Sequence, residues 1–155
     1  MDFCWEKIVT PKVLMVAGLP GCGKTTFLDE LRRKGWLAFD DLKAGAIDDS
    51  SSFDKSRQFE ALLSGLRDGL RCVVADIDFC KCESRAEAEN VLRAAVPNVE
   101  ICWCFFAHDE RACEENIKRR NRGSLEADIR ELRRYSRVYS IPRGADVRPV
   151  TGEKP

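Results

Sequence analysis

One stretch of the chain has the residue types and spacing to grip a polyphosphate: Gly18-Leu19-Pro20-Gly21-Cys22-Gly23-Lys24-Thr25, followed by Thr26. It fits G-x-x-x-x-G-K-[ST], the Walker A pattern. The three glycines let the backbone turn tightly and aim successive N–H groups at one anion. A helix starting behind them adds the positive end of its dipole. Lys24 has the reach for β- and γ-phosphates, and the Thr25 hydroxyl is the ligand type that holds Mg²⁺. The chemistry expected is binding of a nucleoside triphosphate, ATP with Mg²⁺.

Two pairs of carboxylates qualify as partners for that loop. Asp40 and Asp41 follow the apolar run Trp36-Leu37-Ala38-Phe39 and close a short strand. In open α/β sheets the carboxyl ends of strands are where ligands sit. A carboxylate there can take the proton of an attacking hydroxyl during phosphoryl transfer; the alternative is an ordinary acidic loop start. Asp76 and Asp78 end the run Arg71-Cys72-Val73-Val74-Ala75. Charge in an apolar strand is costly without a partner, and alternation places both acids on one face. Asp76 is expected to orient Mg²⁺ or its water, unless neighbouring backbone satisfies it instead.

Arginine is the third ingredient. Residues 110–155 carry 12 basic and 8 acidic side chains, against 14 and 18 in residues 1–109, so a zero net charge hides a basic end. Lys118, Arg119, Arg120 and Arg122 cluster around Asn121, just before Gly123-Ser124. A helical hairpin over about 110–138 is placed to close as a lid on a triphosphate. The planar arginine fork suits phosphate oxygens and transition-state charge, with Arg120 and Arg122 the chosen pair. The arginines at 130–137 read as a solvated helix face.

The elements that must position these groups follow from periodicity. Strands are expected at 12–17, 36–39, 71–78, 99–106 and 146–150. Helices are expected at about 24–34, 54–68, 84–95, 110–121 and 125–138. Ser84 with Glu87 reads as a capping box, Asp109 as a helix cap, and residues 43–53 as a polar loop. Strands alternating with helices give an α/β fold with a mainly parallel sheet. The 155 residues, 44% hydrophobic and 34% charged, make one ordinary domain with a tail at 151–155. No apolar stretch nears the ~20 residues of a membrane helix. With no signal peptide discernible, the expected location is cytoplasmic and the eight cysteines are expected to be reduced. No guanine-reading Asn-Lys-x-Asp follows the fourth strand, which argues against a GTPase. Leu63-Ser64-Gly65 is too incomplete for a transporter ATPase.

With these pieces assembled, the chain resembles the small P-loop kinases, nearest the polynucleotide-kinase-like and zeta-toxin-like group, over nearly its full length. That group follows its Gly-x-Gly-Lys-[Ser/Thr]-Thr loop, one helix later, with an Arg-Asp-Asp-like turn. Here the turn is Phe39-Asp40-Asp41, then Lys43. The resemblance implies sheet order 2-3-1-4-5, Asp40 as general base, and Asp41 and Lys43 toward the acceptor. Arg120-Asn121-Arg122 loosely matches the group's lid, and Tyr139-Ser140-Ile141-Pro142 its closing turn. Phe39 departs from the pattern, standing where arginine or asparagine is common. The activity implied is transfer of the ATP γ-phosphate to a hydroxyl of a small molecule, nucleotide or nucleic-acid end. The alternative is a nucleotide-dependent switch or accessory ATPase with no such acceptor.

Other motifs are weaker. Cys80, Cys82, Cys102 and Cys104 suggest a four-thiolate zinc site, but the implied order puts strand one between strands three and four. Cys22, among loop amides and beside Lys24, is expected to have a lowered thiol pKa and to be open to oxidation. His108 reads as a loop residue, and Thr151-Gly-Glu-Lys-Pro155 as a tail despite its likeness to a zinc-finger linker.

Overall fold

A computed structural model describes residues 10–42, 53–55, 58–120 and 123–152. Five parallel strands form one sheet in the order β2-β3-β1-β4-β5: β1 Lys12–Ala17, β2 Leu37–Asp40, β3 Arg71–Ala75, β4 Glu100–Phe106 and β5 Val147–Arg148. The implied order therefore holds, in the three-layer α/β architecture. Among the described residues five α-helices connect and flank the strands: α1 Lys24–Arg33, α2 Phe59–Arg67, α3 Cys82–Ala95, α4 Glu110–Arg120 and α5 Leu125–Ser136.

The central strand β1 has Met15, Val16 and Ala17 fully buried, as a strand covered on both faces must be. Register neighbours share a face, so Val13, Cys72 and Ile101 point one way, with Trp103 and Phe105. Helix α2 covers that face so closely that a Cβ on Gly65 would lie 2.5 Å from Leu37 Cδ2 and 3.2 Å from Cys72 Sγ. Helix α3 joins it there, where buried Arg85 donates to the Phe79 carbonyl at 2.7 Å and lies over the Phe105 ring. The opposite face belongs to α1, whose Phe27 meets Phe106 edge-on at 6.1 Å.

Five local expectations are corrected. Strand three stops at Ala75, because Asp76 caps a 3-10 turn, Ile77–Cys80, by accepting the Asp78 N–H at 2.9 Å. Asp76 and Asp78 therefore do not line one strand face. Helix α3 begins at Cys82 with no side-chain cap, so the Ser84–Glu87 capping box does not form. Helix α2 starts at Phe59, after a separate 3-10 turn, Phe53–Lys55. Helix α5 ends at Ser136, and β5 is two residues long. Asp109 does cap α4, accepting from the Ala112 N–H at 3.1 Å. Among the described residues no helix is long and apolar enough to cross a membrane.

Candidate functional site

All five strands run in one direction, so Ala17, Asp40, Ala75 and Phe106 end at the same edge of the sheet. The Gly18–Thr25 loop emerges there from β1 and enters α1. Leu19 and Cys22 are fully buried, which anchors the loop from beneath by apolar contact. Gly21 and Gly23 have φ of +82° and +105°, a region open to glycine at no steric cost. Space also requires them. A Cβ at Gly21 would meet the Cys113 carbonyl at 2.7 Å, and one at Gly23 would meet Thr151 Cβ at 2.9 Å.

Lys24 folds back over the loop, its Nζ donating to the carbonyls of Gly18 at 2.6 Å and Leu19 at 3.0 Å. One residue on, Thr25 donates its hydroxyl to Asp40 Oδ2 at 2.7 Å. That bond spans 15 residues of sequence and joins the loop to the end of β2. Thr25 and Thr26 are exposed and Asp40 is half-buried, leaving the contact accessible.

Asp41, next along, has φ +51°, a left-handed conformation uncommon outside glycine, asparagine and aspartate. Its N–H donates to the Ala75 carbonyl at 2.8 Å, tying β2 to β3 where both strands end. The residue is exposed, and its carboxylate accepts from the Ile77 backbone. Desolvation pushes the Asp41 pKa up, and the negative charges of Asp40 and Asp78 push the same way; Lys24 opposes them. This edge therefore concentrates negative charge beside a lysine and a threonine hydroxyl. Asp76 is 2% exposed at the end of β3, with its capping bond to Asp78 in place.

These groups can hold a magnesium-bound triphosphate. Magnesium keeps several waters and takes one or two carboxylates plus phosphate oxygens, rather than a full protein cage. The described residues contain no group of three or more His, Cys, Asp or Glu placed to hold an ion alone. Strand β1 lies between β3 and β4, as the implied order required.

Cys22 contradicts its expectation. Burial pushes its thiol pKa up, and the opposing pull of Lys24, 3.7 Å from Sγ, does not overcome that. Cys80, whose thiol donates to the Gly18 carbonyl at 3.4 Å, is likewise raised to about 12 by burial. Both side chains are fully buried.

Helix α4 stands against the loop, with Cys113, Asn116 and Ile117 on its buried face. It is held to α5 by Arg133, which donates to Glu110 at 2.6 Å and Glu114 at 2.5 Å. The span expected to act as a lid is thus a helical pair docked on the loop. Arg120 is half-buried at the end of α4; Arg122 and Lys43 lie outside the described residues. His108 donates from Nε2 to the Ser136 carbonyl at 2.9 Å and stacks on Tyr139.

The sequence reading missed Asn116, whose Nδ2 donates at 2.8 Å both to the Gly21 carbonyl and to the Thr151 carbonyl. A signal was present: Asn116 falls at i+3 from Cys113, in the apolar stripe of its helix. Tyr139 was assigned only to a turn. Its hydroxyl lies 2.5 Å from the Phe106 carbonyl and 3.3 Å from that of Ala17, the last residues of β4 and β1.

No family model matches this chain, and no curated protein sequence matches it significantly. Solved structures do. A gluconokinase from Sinorhizobium meliloti 1021 superposes with a TM-score of 0.57 at 18% identity, over 91% of this chain and 83% of its own. A fungal RNA kinase gives 0.62 at 13% identity, over 96% and 78%. A chain of an RNA repair complex gives 0.52 at 16%, over 91% of this chain and 51% of its own. At these identities the likeness establishes the fold, which is that of the small P-loop kinases.

Proposed function

We propose that this chain is an ATP- and Mg²⁺-dependent kinase that transfers the γ-phosphate to a hydroxyl of a small molecule, nucleotide or nucleic-acid end. The observation that carries the reading is the 2.7 Å bond from Thr25 to Asp40. A phosphate loop alone serves switches and ATPases equally. A carboxylate from the next strand, held against the loop's own threonine, puts a base where an acceptor hydroxyl and the transferred phosphate would meet. That kinases acting on a sugar acid and on RNA share the fold agrees with a hydroxyl acceptor.

The roles then follow. Loop amides and the N-terminus of α1 cradle the phosphates. Lys24 leaves the Gly18 and Leu19 carbonyls to bind β- and γ-phosphate oxygens. Thr25 and, through water, Asp76 hold Mg²⁺, which when bound neutralises phosphate charge. Asp40 accepts the acceptor's proton, Asp41 and Lys43 contact the acceptor, and Arg120 and Arg122 stabilise charge on the moving phosphoryl group.

The test is transfer of label from [γ-³²P]ATP with Mg²⁺ to pooled nucleosides, oligonucleotide ends, sugars, sugar acids and nucleotide sugars. A labelled product, lost in Lys24→Ala, is the expected result. Tight ATP binding with no product across the pool would instead favour a nucleotide-dependent switch.

A further inference from the structure

Two segments without any phosphate-binding motif are packed onto the phosphate loop. From α4, Asn116 is 2% exposed and bonds the carbonyls of Gly21 and Thr151, each at 2.8 Å. From the chain beyond β5, the Thr151 N–H donates to the Cys22 carbonyl at 3.0 Å. Thr151 also fills the space beside Gly23, 2.9 Å from where a Cβ would stand. Residues 151–152 are therefore part of the loop's surroundings rather than a free tail.

Peptide planarity gives this contact its consequence. In a trans peptide the C=O and N–H point to opposite edges of one plane, and no described peptide bond is cis. The Cys22 carbonyl and the Gly23 N–H share such a plane. Seating that carbonyl on Thr151 therefore turns the Gly23 N–H away from the 151–152 segment. Gly23 caps α1 at φ +105°, and glycine has little intrinsic preference to hold its plane. The direction of this donor thus depends on what grips the carbonyl. Asn116 completes the grip, tying Thr151 to the preceding plane through Gly21.

We propose that Asn116 and the Thr151 backbone form a brace that fixes the direction of the Gly23 N–H in the phosphate loop, which makes Asn116 a positioning residue for polyphosphate binding. The inference rests on the loop being a nucleoside triphosphate site. It requires the Thr151 N–H, not the Thr151 side chain. Because the brace acts on the loop and not on a base, it affects ATP and inorganic tripolyphosphate alike.

The test is calorimetric titration of the full chain and its variants with Mg²⁺-tripolyphosphate and with Mg²⁺-ATP, after thermal melts show each variant folded. Thr151→Pro removes the N–H, Thr151→Ala keeps it, and Asn116→Leu removes both amide donors at similar volume. Thr151→Pro is expected to weaken both probes about tenfold, the size of one lost hydrogen bond, and Asn116→Leu, which loses two, by at least as much. Thr151→Ala is expected to stay within about twofold by the same reasoning, as no backbone bond is lost. The double variant should lose little more than either single one, since both act on one unit. If a variant fails to fold, the other carries the comparison. Unchanged affinity in Thr151→Pro or Asn116→Leu overturns the brace, as does a loss confined to ATP or an equal loss in Thr151→Ala. If the unaltered protein binds neither probe, the nucleotide reading itself fails and the brace with it.

Discussion

Asp40 and Asp41 are neighbours in sequence with opposite physical situations. Asp40 accepts a hydroxyl bond from Thr25, and asparagine at 40 can still accept that bond through its amide oxygen. Asp40→Asn should therefore leave ATP affinity nearly unchanged while lowering phosphoryl transfer by about 10²–10⁴, the range of a general base. Normal turnover would remove Asp40 from the mechanism. Asp41 is strained electrostatically, its pKa raised by desolvation and by Asp40 and Asp78. For an acid raised in the folded state, the unfolded chain releases its proton more readily. Stability is then lost as pH rises from the unfolded value toward the raised one, and the deficit persists at neutral pH. Asp41→Asn keeps a residue tolerant of positive φ and removes the charge. It should raise Tm by roughly 1–3 °C at pH 7 and by almost nothing near pH 3; an equal rise at both would disprove the repulsion.

At the scale of elements, the α4–α5 pair depends on Arg133 reaching Glu110 and Glu114 across the hairpin. The Glu110 pKa is lowered, first by the bond from Arg133 and then by that from Ser136. A carboxylate lowered in the folded state contributes stability above its unfolded pKa and loses it as pH falls through the folded one. Arg133→Ala should thus reduce Tm at pH 7, with the difference shrinking in high salt and vanishing below the folded pKa of Glu110. A difference constant with pH and salt would mean that packing by the arginine stem holds the pair. Helix α4 also explains the glycines of the loop twice over: positive φ at Gly21 is a backbone requirement, and the Cys113 carbonyl beside it is a tertiary one.

The whole molecule is clasped where the site lies. Tyr139 brings the chain after α5 back to the ends of β1 and β4, with burial raising its phenol pKa well above the ordinary value. Tyr139→Phe removes a buried hydrogen bond to the Phe106 carbonyl, which should cost about 1–3 kcal/mol; chemical denaturation measures it. A ligand that binds only the folded state should act in the other direction. Mg²⁺-ATP at about 100 times its Kd is expected to add roughly 2.7 kcal/mol, and a thermal shift assay should show the rise abolished in Lys24→Ala. No shift in the unaltered protein would refute nucleotide binding.

By itself the sequence determined what local chemistry determines. The loop was legible because the Walker A pattern sets particular residues at fixed short spacing, and the parallel sheet because buried strands and amphipathic helices alternate in a readable period. Asp40 was legible as the polar end of an apolar strand. What tertiary structure decided are effects that depend on neighbours remote in the chain. Burial raises the Cys22 thiol pKa where the sequence alone implies a lowered one, because desolvation outweighs a lysine 3.7 Å away. A capping bond bent the chain at Asp76 and ended a strand that composition alone would have continued. Asn116 met a loop 95 residues earlier and a backbone 35 residues later. Periodicity marks such a residue as inward-facing, but only the packed fold supplies the carbonyls it binds.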